Sequence, residues 1–284
     1  MPIAKSELIL NDDGSVYHLN LHPGDLAETI ITVGDQERVE EVSKFFDSVD
    51  LKKQKREFSC HTGFIGKKRL SVISTGIGTD NIDIVFNEID ALFNVDLNTR
   101  EVKEEITILD FIRLGTSGSL QVDIPLGQFL ISELAVGIDN MNQFYKIPQH
   151  FFDAALDQKF RNTFGAMFNS YTVKSDPTLK MLFDNEEDFI NGKTLTSIGF
   201  YAPQGRSIRN NLLFPGFIDQ MASLGISNLE METSGIYLLA ANLGHRALSI
   251  NAILANRQLG TFEDNPGIVV DRMIRRALEV ILRD

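Results

Sequence analysis

Four arginines of this chain sit beside residue types that together could hold an anion. Arg113 lies in the apolar run 106–114 (ITILDFIRL) and is followed by Gly115, Thr116, Ser117 and Gly118. An arginine in a buried strand is unfavourable unless it is paired. A guanidinium, two hydroxyls and backbone N–H groups at a strand end suit a phosphate, and a strand-end salt bridge accounts for the same pattern equally well. Arg38 comes just after Gly34-Asp35, at the start of a helical pattern, where the positive helix end would add to anion binding. Arg56 belongs to Lys55-Arg56-Glu57-Phe58, a charge cluster that is ordinarily a solvated face. Arg206 closes Phe200-Tyr201-Ala202-Pro203-Gln204-Gly205-Arg206. There an aromatic ring could stack on a planar ligand, while Gln204 and Arg206 could read the polar edge of a base. A turn with a surface arginine fits that segment too. Glu232 ends Asn228-Leu229-Glu230-Met231-Glu232 at the opening of an apolar helix. Acidic residues there complement the helix dipole, or a carboxylate aimed into a cleft could accept hydrogen bonds from a sugar diol.

Elements able to position these residues are visible in the hydrophobic pattern. Residues 30–33, 70–75, 106–114, 127–132, 195–200 and 248–254 read as short buried strands. Three of them end in glycine turns: Gly34-Asp35, Thr75-Gly76-Ile77-Gly78 and Gly115-Thr116-Ser117-Gly118. None is a Walker loop or a GxGxxG fingerprint, so neither a P-loop nor a dinucleotide site is supported. Val39, Val42 and Phe46 mark one helix face, and Ile82, Val85, Ile89 and Leu92 mark a second. Residues 231–243 read as a helix. A last helix begins with Asn265 as N-cap and Pro266 as first helical residue, with Val270, Met273, Ile274, Ala277, Leu278 and Ile281 on its apolar face. Continuous apolar strands alternating with amphipathic helices indicate an α/β protein whose mostly parallel sheet is covered on both faces. No linker divides the chain, and one domain over residues 1–284 is expected. Residues 94–105 read as a charged surface excursion. Residues 140–190 are aromatic-rich and weakly periodic.

Composition removes other classes. The 284 residues carry a net charge of -12, which argues against nucleic acid or an anionic membrane as partner. A few arginines in a cleft can still bind one small anion, so the cleft is expected to be locally positive. The single cysteine, Cys60, cannot form an internal disulfide. No CxxC, HExxH or EF-hand spacing occurs. Residues 1–10 do not read as a signal peptide, and no apolar run matches the roughly 18 residues of a membrane span. A cytoplasmic location is expected.

In order along the chain, VYHLNL, VGDQERV, KREF, STGIG, RLGTSGSLQ, FYAPQGR, NLEMETSG and ILANR resemble the nucleoside phosphorylase family, and within it the uridine branch most closely. The resemblance spans about Val16 to Gly260. It implies a three-layer α/β/α domain around a central mixed sheet that curls into a barrel. It also implies reversible phosphorolysis, in which a nucleoside and phosphate give a free base and ribose 1-phosphate. By the same resemblance, Gly34, Arg38, Arg113 and Thr116 would bind phosphate. Arg56 and His18 would reach across a homodimer interface, Arg56 toward the phosphate and His18 toward the ribose 5′-hydroxyl. Met231 and Glu232 would hold the ribose, and Ser117, Gly118, Phe200, Gln204, Arg206 and Arg257 the base. Arg113, Glu232, Gln204 and Arg206 would carry the catalytic roles.

Purine-specific members often place an Asp after the last core strand. Here that segment reads Leu254-Ala255-Asn256-Arg257, which favours a pyrimidine such as uridine. Inorganic phosphate would be the co-substrate, with no cofactor. Bacterial members of the uridine branch hold a monovalent cation with a Glu and a Ser. Glu57 and Ile77 are present, but Asn81 stands where the Ser would be, and no metal is expected. Partners would be a small nucleoside, phosphate and further copies of the chain, as a dimer or a trimer of dimers. The alternatives are a purine nucleoside phosphorylase, a hydrolytic nucleosidase, or a non-catalytic nucleoside-binding protein. Arg113→Ala is expected to abolish phosphate dependence while leaving the fold intact.

Overall fold

The computed structural model describes residues 2–165, 168–209 and 211–283. Strand β1 (Thr29–Val33) leads into helix α1 (Gln36–Ser43), and β2 (Ser48–Lys55), β3 (Phe58–Ile65) and β4 (Lys68–Ser74) follow. Helix α2 (Thr79–Asn94) precedes a small hairpin, β5 (Val95–Asp96) and β6 (Glu101–Val102). The chain continues through β7 (Asp110–Ser119), β8 (Phe129–Gly137), α3 (Ala154–Phe164), β9 (Tyr171–Lys174), α4 (Pro177–Met181) and β10 (Phe189–Thr196). It ends with α5 (Phe217–Ser223), β11 (Asn228–Glu230), α6 (Thr233–Leu243), β12 (Arg246–Asn256), β13 (Thr261–Phe262) and α7 (Pro266–Ile281).

Five strands close into a ring, in the order β12-β8-β10-β11-β7 and back to β12. From β7 the sheet opens outward through β1, β4, β3 and β2. The sheet is mixed rather than mostly parallel. β1 pairs in parallel with β4 and β7, β10 with β8 and β11, and β12 with β7. The pairings β7–β11, β8–β12, β2–β3, β3–β4, β8–β9 and β12–β13 are antiparallel. Apolar runs report burial on both faces but not strand direction, so the parallel expectation had no way to register the hairpins. The charged β2, SVDLKKQK, carries no apolar run at all and is not legible as a strand.

Helices cover both faces and complete three layers. Ile82, Val85 and Ile89 of α2 pack with Ile236, Leu238 and Leu239 of α6. On the other face Val39 and Val42 of α1 join Val270, Met273 and Ile274 of α7. Each such side chain contributes about 1.5–3 kcal/mol on burial. Asn265 and Pro266 open α7 as expected, although Asn265 makes no side-chain cap hydrogen bond. The aromatic stretch 140–190 also finds its place, save for Ala166 and Met167, which lie outside the described residues. Phe160 and Phe164 of α3 pack against Phe217 of α5, Leu195 and Leu229.

Three expected boundaries move. The strand carrying Arg113 begins at Asp110 and does not stop at Gly115; it runs to Ser119. Gly115, Thr116 and Ser117 pair with Asn251, Ala252 and Ile253 of β12, so this segment is ladder and not a turn. The strand expected over 195–200 is β10, which ends at Thr196 and starts earlier, at Phe189. Residues 228–230 form β11 rather than the start of a helix, and α6 begins at Thr233.

Candidate active site

A cavity of about 930 Å³ opens at the ends of β1, β4, β7, β11 and β12. Gly34, Arg38, Arg113, Thr116, Ser117, Gly118, Phe200, Gln204, Arg206, Met231 and Glu232 all line it, as do Glu57, Ile77 and Asn81. Residues drawn from six separate stretches of sequence therefore meet in one place. His18, Arg56 and Arg257 are not among the lining residues.

Arg113 forms the floor. Its side chain is nearly buried, and Nη2 lies 2.6 Å from Glu232 Oε2 and 3.2 Å from Glu230 Oε2. Nη1 donates to Asn251 Oδ1 at 2.7 Å. Burial pulls the guanidinium pKa down, but Glu230 and Glu232 outweigh it and hold the value above the usual arginine range. The even choice between phosphate group and salt bridge is thus answered in part: Arg113 makes the salt bridge and still faces the cavity. Gly115 makes room for it. A Cβ there would fall 1.8 Å from Arg113 Nη1.

Glu232 is tied from two sides. Gly78 N, at the start of α2, donates to Glu232 Oε1 at 2.9 Å. Gly78 has a φ of 98°, a left-handed geometry that favours glycine. Burial raises the Glu232 pKa, Arg113 lowers it and Glu230 raises it again, for a net rise. Glu230, in turn, accepts from Thr196 Oγ1 at 2.7 Å and from the backbone N–H groups of Glu232 and Thr233. It therefore satisfies the free N–H groups at the start of α6. Glu230, Asn251 and Gly78 are site residues that the reading of the sequence did not single out. The period-two spacing of Asn228 and Glu230 was the available signal, since β-strand alternation sends both to one face.

Arg38 sits in the first turn of α1, which Asp35 caps by accepting from Glu37 N at 3.0 Å. Its Nε is buried and has no hydrogen-bond partner among the described residues. Such a donor costs about 1–3 kcal/mol when left unmet. Burial lowers its pKa, partly offset by Glu41 and reinforced by Arg113.

Phe200, Gln204 and Arg206 gather on a tight loop. The Arg206 guanidinium stacks on the Phe200 ring at 3.9 Å, donates to Phe200 O at 2.7 Å and donates to Gln204 Oε1. Arg257 backs this loop by donating from Nη1 to Gln204 O at 3.1 Å. Burial, and then the like charge of Arg257, hold Arg206 below the usual arginine range.

The cavity is not simply positive. Arg38, Arg113 and Arg206 face Asp35, Glu37, Glu57, Glu230 and Glu232. The expected excess of positive charge is absent from this chain's own lining, because five carboxylates stand there against three arginines. Arg56 stands outside, exposed, with its guanidinium 5.8 Å from the Tyr17 ring. His18 adjoins the same ring at 4.9 Å. Glu88 accepts from the backbone N–H groups of His18 and Leu19 and lies 2.6 Å from His18 Nδ1. Among the described residues no group of three or more His, Cys, Asp or Glu is placed to hold a metal ion. No helix there is long and apolar enough to cross a membrane.

Residues 28–282 match the family described as the phosphorylase superfamily. The chain belongs to this superfamily. It is 29% identical over 255 residues to a uridine phosphorylase of Thermococcus kodakarensis, covering 88% of this chain and 81% of the relative. It is 28% identical over 251 residues to a uridine phosphorylase of Haemophilus influenzae, covering 85% and 86%. A DeoD-type purine nucleoside phosphorylase of Tolumonas auensis is 25% identical over 268 residues, covering 93% and 98%. Among solved structures of the superfamily, a Trypanosoma brucei nucleoside phosphorylase described as showing uridine phosphorylase activity superposes with a TM-score of 0.86 at 27% identity. The match covers 98% of this chain and 100% of that one. The protein is thus an enzyme of the nucleoside phosphorylase superfamily, with the barrel-like mixed sheet described above.

Proposed function

We propose that the protein cleaves uridine with inorganic phosphate, reversibly, to give uracil and ribose 1-phosphate, and that it does so in the cytoplasm as a homo-oligomer without a cofactor. The observation that carries this reading is the charge at the base end. Arg206, Gln204 and Arg257 converge there, and the carboxylates lining the cavity all come from other segments: Asp35, Glu37, Glu57, Glu230 and Glu232.

The chemistry follows from that placement. Breaking the glycosidic bond leaves a cationic sugar and a base that gains negative charge. Arg206 and Gln204 stabilise that charge as it forms, without a general acid. Glu232 accepts from the ribose hydroxyls, and Met231 packs beside the sugar. The buried, unmet Nε of Arg38 supplies a donor for a phosphate oxygen. The ion pairs and the bond to Asn251 set the plane of Arg113, which has further N–H groups to give a phosphate. Gly34 and Thr116 complete that end. Fixing phosphate in line with the bond it attacks is mainly a positioning contribution. Arg56 and His18, outside their own cavity, would serve the cavity of a second copy.

The test is base release from uridine, thymidine, inosine and adenosine, each with and without phosphate. Uracil released only when phosphate is present is the expected result. Phosphate-independent release would identify a hydrolase. Phosphate-dependent release from inosine but not uridine would place the protein with the purine enzymes.

A further inference from the structure

The closed ring of strands has a polar interior. Each of its five strands contributes a buried polar side chain to one run of hydrogen bonds: Ser117 from β7, Ser132 from β8, Thr194 from β10, Asn228 from β11 and Asn251 from β12. They join end to end. Arg113 Nη1 donates to Asn251 Oδ1 at 2.7 Å, and Asn251 Nδ2 donates to Ser132 Oγ at 3.1 Å. Ser132 Oγ and Thr194 Oγ1 are 2.5 Å apart. Thr194 Oγ1 donates to Asn228 Oδ1 at 2.7 Å, and Asn228 Nδ2 donates to Ser117 Oγ at 2.8 Å.

The sense of the chain is set at two points, Arg113 and the Thr194 hydroxyl that donates to Asn228 Oδ1. A guanidinium cannot accept, so Asn251 must turn its oxygen to Arg113 and its NH₂ to Ser132. Thr194 has one hydrogen, given to Asn228, so the hydrogen between Ser132 and Thr194 belongs to Ser132. Each group then donates once and accepts once along the chain, down to Ser117. Ser117 accepts from Asn228 and keeps its own hydrogen, and Ser117 lines the cavity.

We propose that this one-directional hydrogen-bond chain, Arg113–Asn251–Ser132–Thr194–Asn228–Ser117, sets the Ser117 hydroxyl as a donor into the cavity, toward an acceptor oxygen on the nucleobase. Chains of this kind polarise each link in a low-dielectric interior, so a fixed donor at one end, here Arg113 Nη1 on Asn251, strengthens the donor at the other. Ser132, Thr194, Asn228 and Asn251 are then positioning residues that never touch substrate. The proposal rests on the nucleoside phosphorylase reading of the cavity, in which the base lies beside Ser117.

The experiment is a double-mutant cycle with Thr194→Val and Ser117→Ala. It is run on whichever nucleoside of the panel the wild type cleaves, so loss of the uridine assignment alone leaves it standing. Thr194→Val removes one hydroxyl at the middle of the chain, and Thr194→Ser keeps it. The expected result is a fall of about tenfold in kcat/KM for Thr194→Val, recovery to within about twofold for Thr194→Ser, and a double mutant no worse than Ser117→Ala alone. Additive losses would overturn the proposal, since Thr194 would then act otherwise than through Ser117. Equal losses in Thr194→Val and Thr194→Ser would overturn it as well. If Thr194→Val does not fold, Ser132→Ala breaks the neighbouring link and takes its place in the cycle. A wild type that cleaves no nucleoside of the panel would overturn both this inference and the phosphorylase reading.

Discussion

Gly115 and Arg113 occupy the same space in turn: a Cβ on Gly115 would sit 1.8 Å from Arg113 Nη1 and 2.3 Å from its Cζ. Strand alternation puts residues 113 and 115 on one face, and only the absence of a side chain at 115 lets the guanidinium fold back over the strand. Gly115→Ala should therefore displace Arg113 from Glu232 and Asn251 and remove most activity. Gly267→Ala in α7 is the control, because a Cβ there would meet nothing within 4 Å. Thermal melting and phosphate-dependent base release on both variants check this. A fully active Gly115→Ala would show that Arg113 has another place to go.

Arg113→Ala is expected to do more than abolish phosphate dependence. Glu230 and Glu232 are 4% and 5% exposed, and both would be left buried without their cation. Breaking such a cluster destabilises by about 3–5 kcal/mol. The expectation from sequence, an inactive but intact protein, is thus revised to an inactive and less stable one. Denaturant unfolding of the variant measures the difference.

Arg206→Ala removes a base-end donor from the cavity rim while leaving the core untouched. Its loss should lower kcat/KM for the nucleoside by about 10²–10³-fold, with a melting temperature close to wild type. Steady-state kinetics with phosphate saturating checks the first part, and calorimetry the second.

The raised pKa of Glu232 gives the acid limb of the pH profile a definite sign. An ordinary glutamate titrates near 4.5, and burial moves this one upward. The ionised form is needed to accept from the ribose, so kcat/KM should fall as pH drops through a value above 4.5. Stability moves the other way: a carboxyl whose folded pKa is raised favours the fold most at low pH and loses that contribution as pH rises through the folded value. Glu232→Gln should remove the limb from the pH–rate profile and cost about 10–100-fold in kcat/KM.

Arg56 gives a test of shared sites. It lies outside its own chain's cavity, beside Tyr17 and His18. Arg56→Ala subunits keep an intact cavity, and Arg206→Ala subunits keep an intact Arg56. Co-refolding the two inactive proteins should restore activity, because a mixed dimer holds one complete site. No recovery in oligomers shown by mass spectrometry to be mixed would assign Arg56 to a solvated face.

Local sequence carried a good deal of this protein. Apolar runs located β1, β4, β7, β8 and β12 because burial of a strand leaves its mark in consecutive residues. Helical spacing located α1, α2 and α7 in the same way. The motifs around Gly34, Arg113, Gln204 and Glu232 were enough to name many of the residues that meet in the cavity, though not Glu230. What they could not hold is pairing across the chain. Whether β2 and β3 form a hairpin, and whether β12 closes onto both β7 and β8, depends on contacts between distant residues, to which local periodicity is blind. The same holds for charge. Arg113 reads as a lone cation in a strand, and only the approach of β11 and β12 gives it Glu230, Glu232 and Asn251 as neighbours. Even Gly115, legible as a break, is in the fold an unbroken strand residue, left bare so that the arginine two places before it can turn inward.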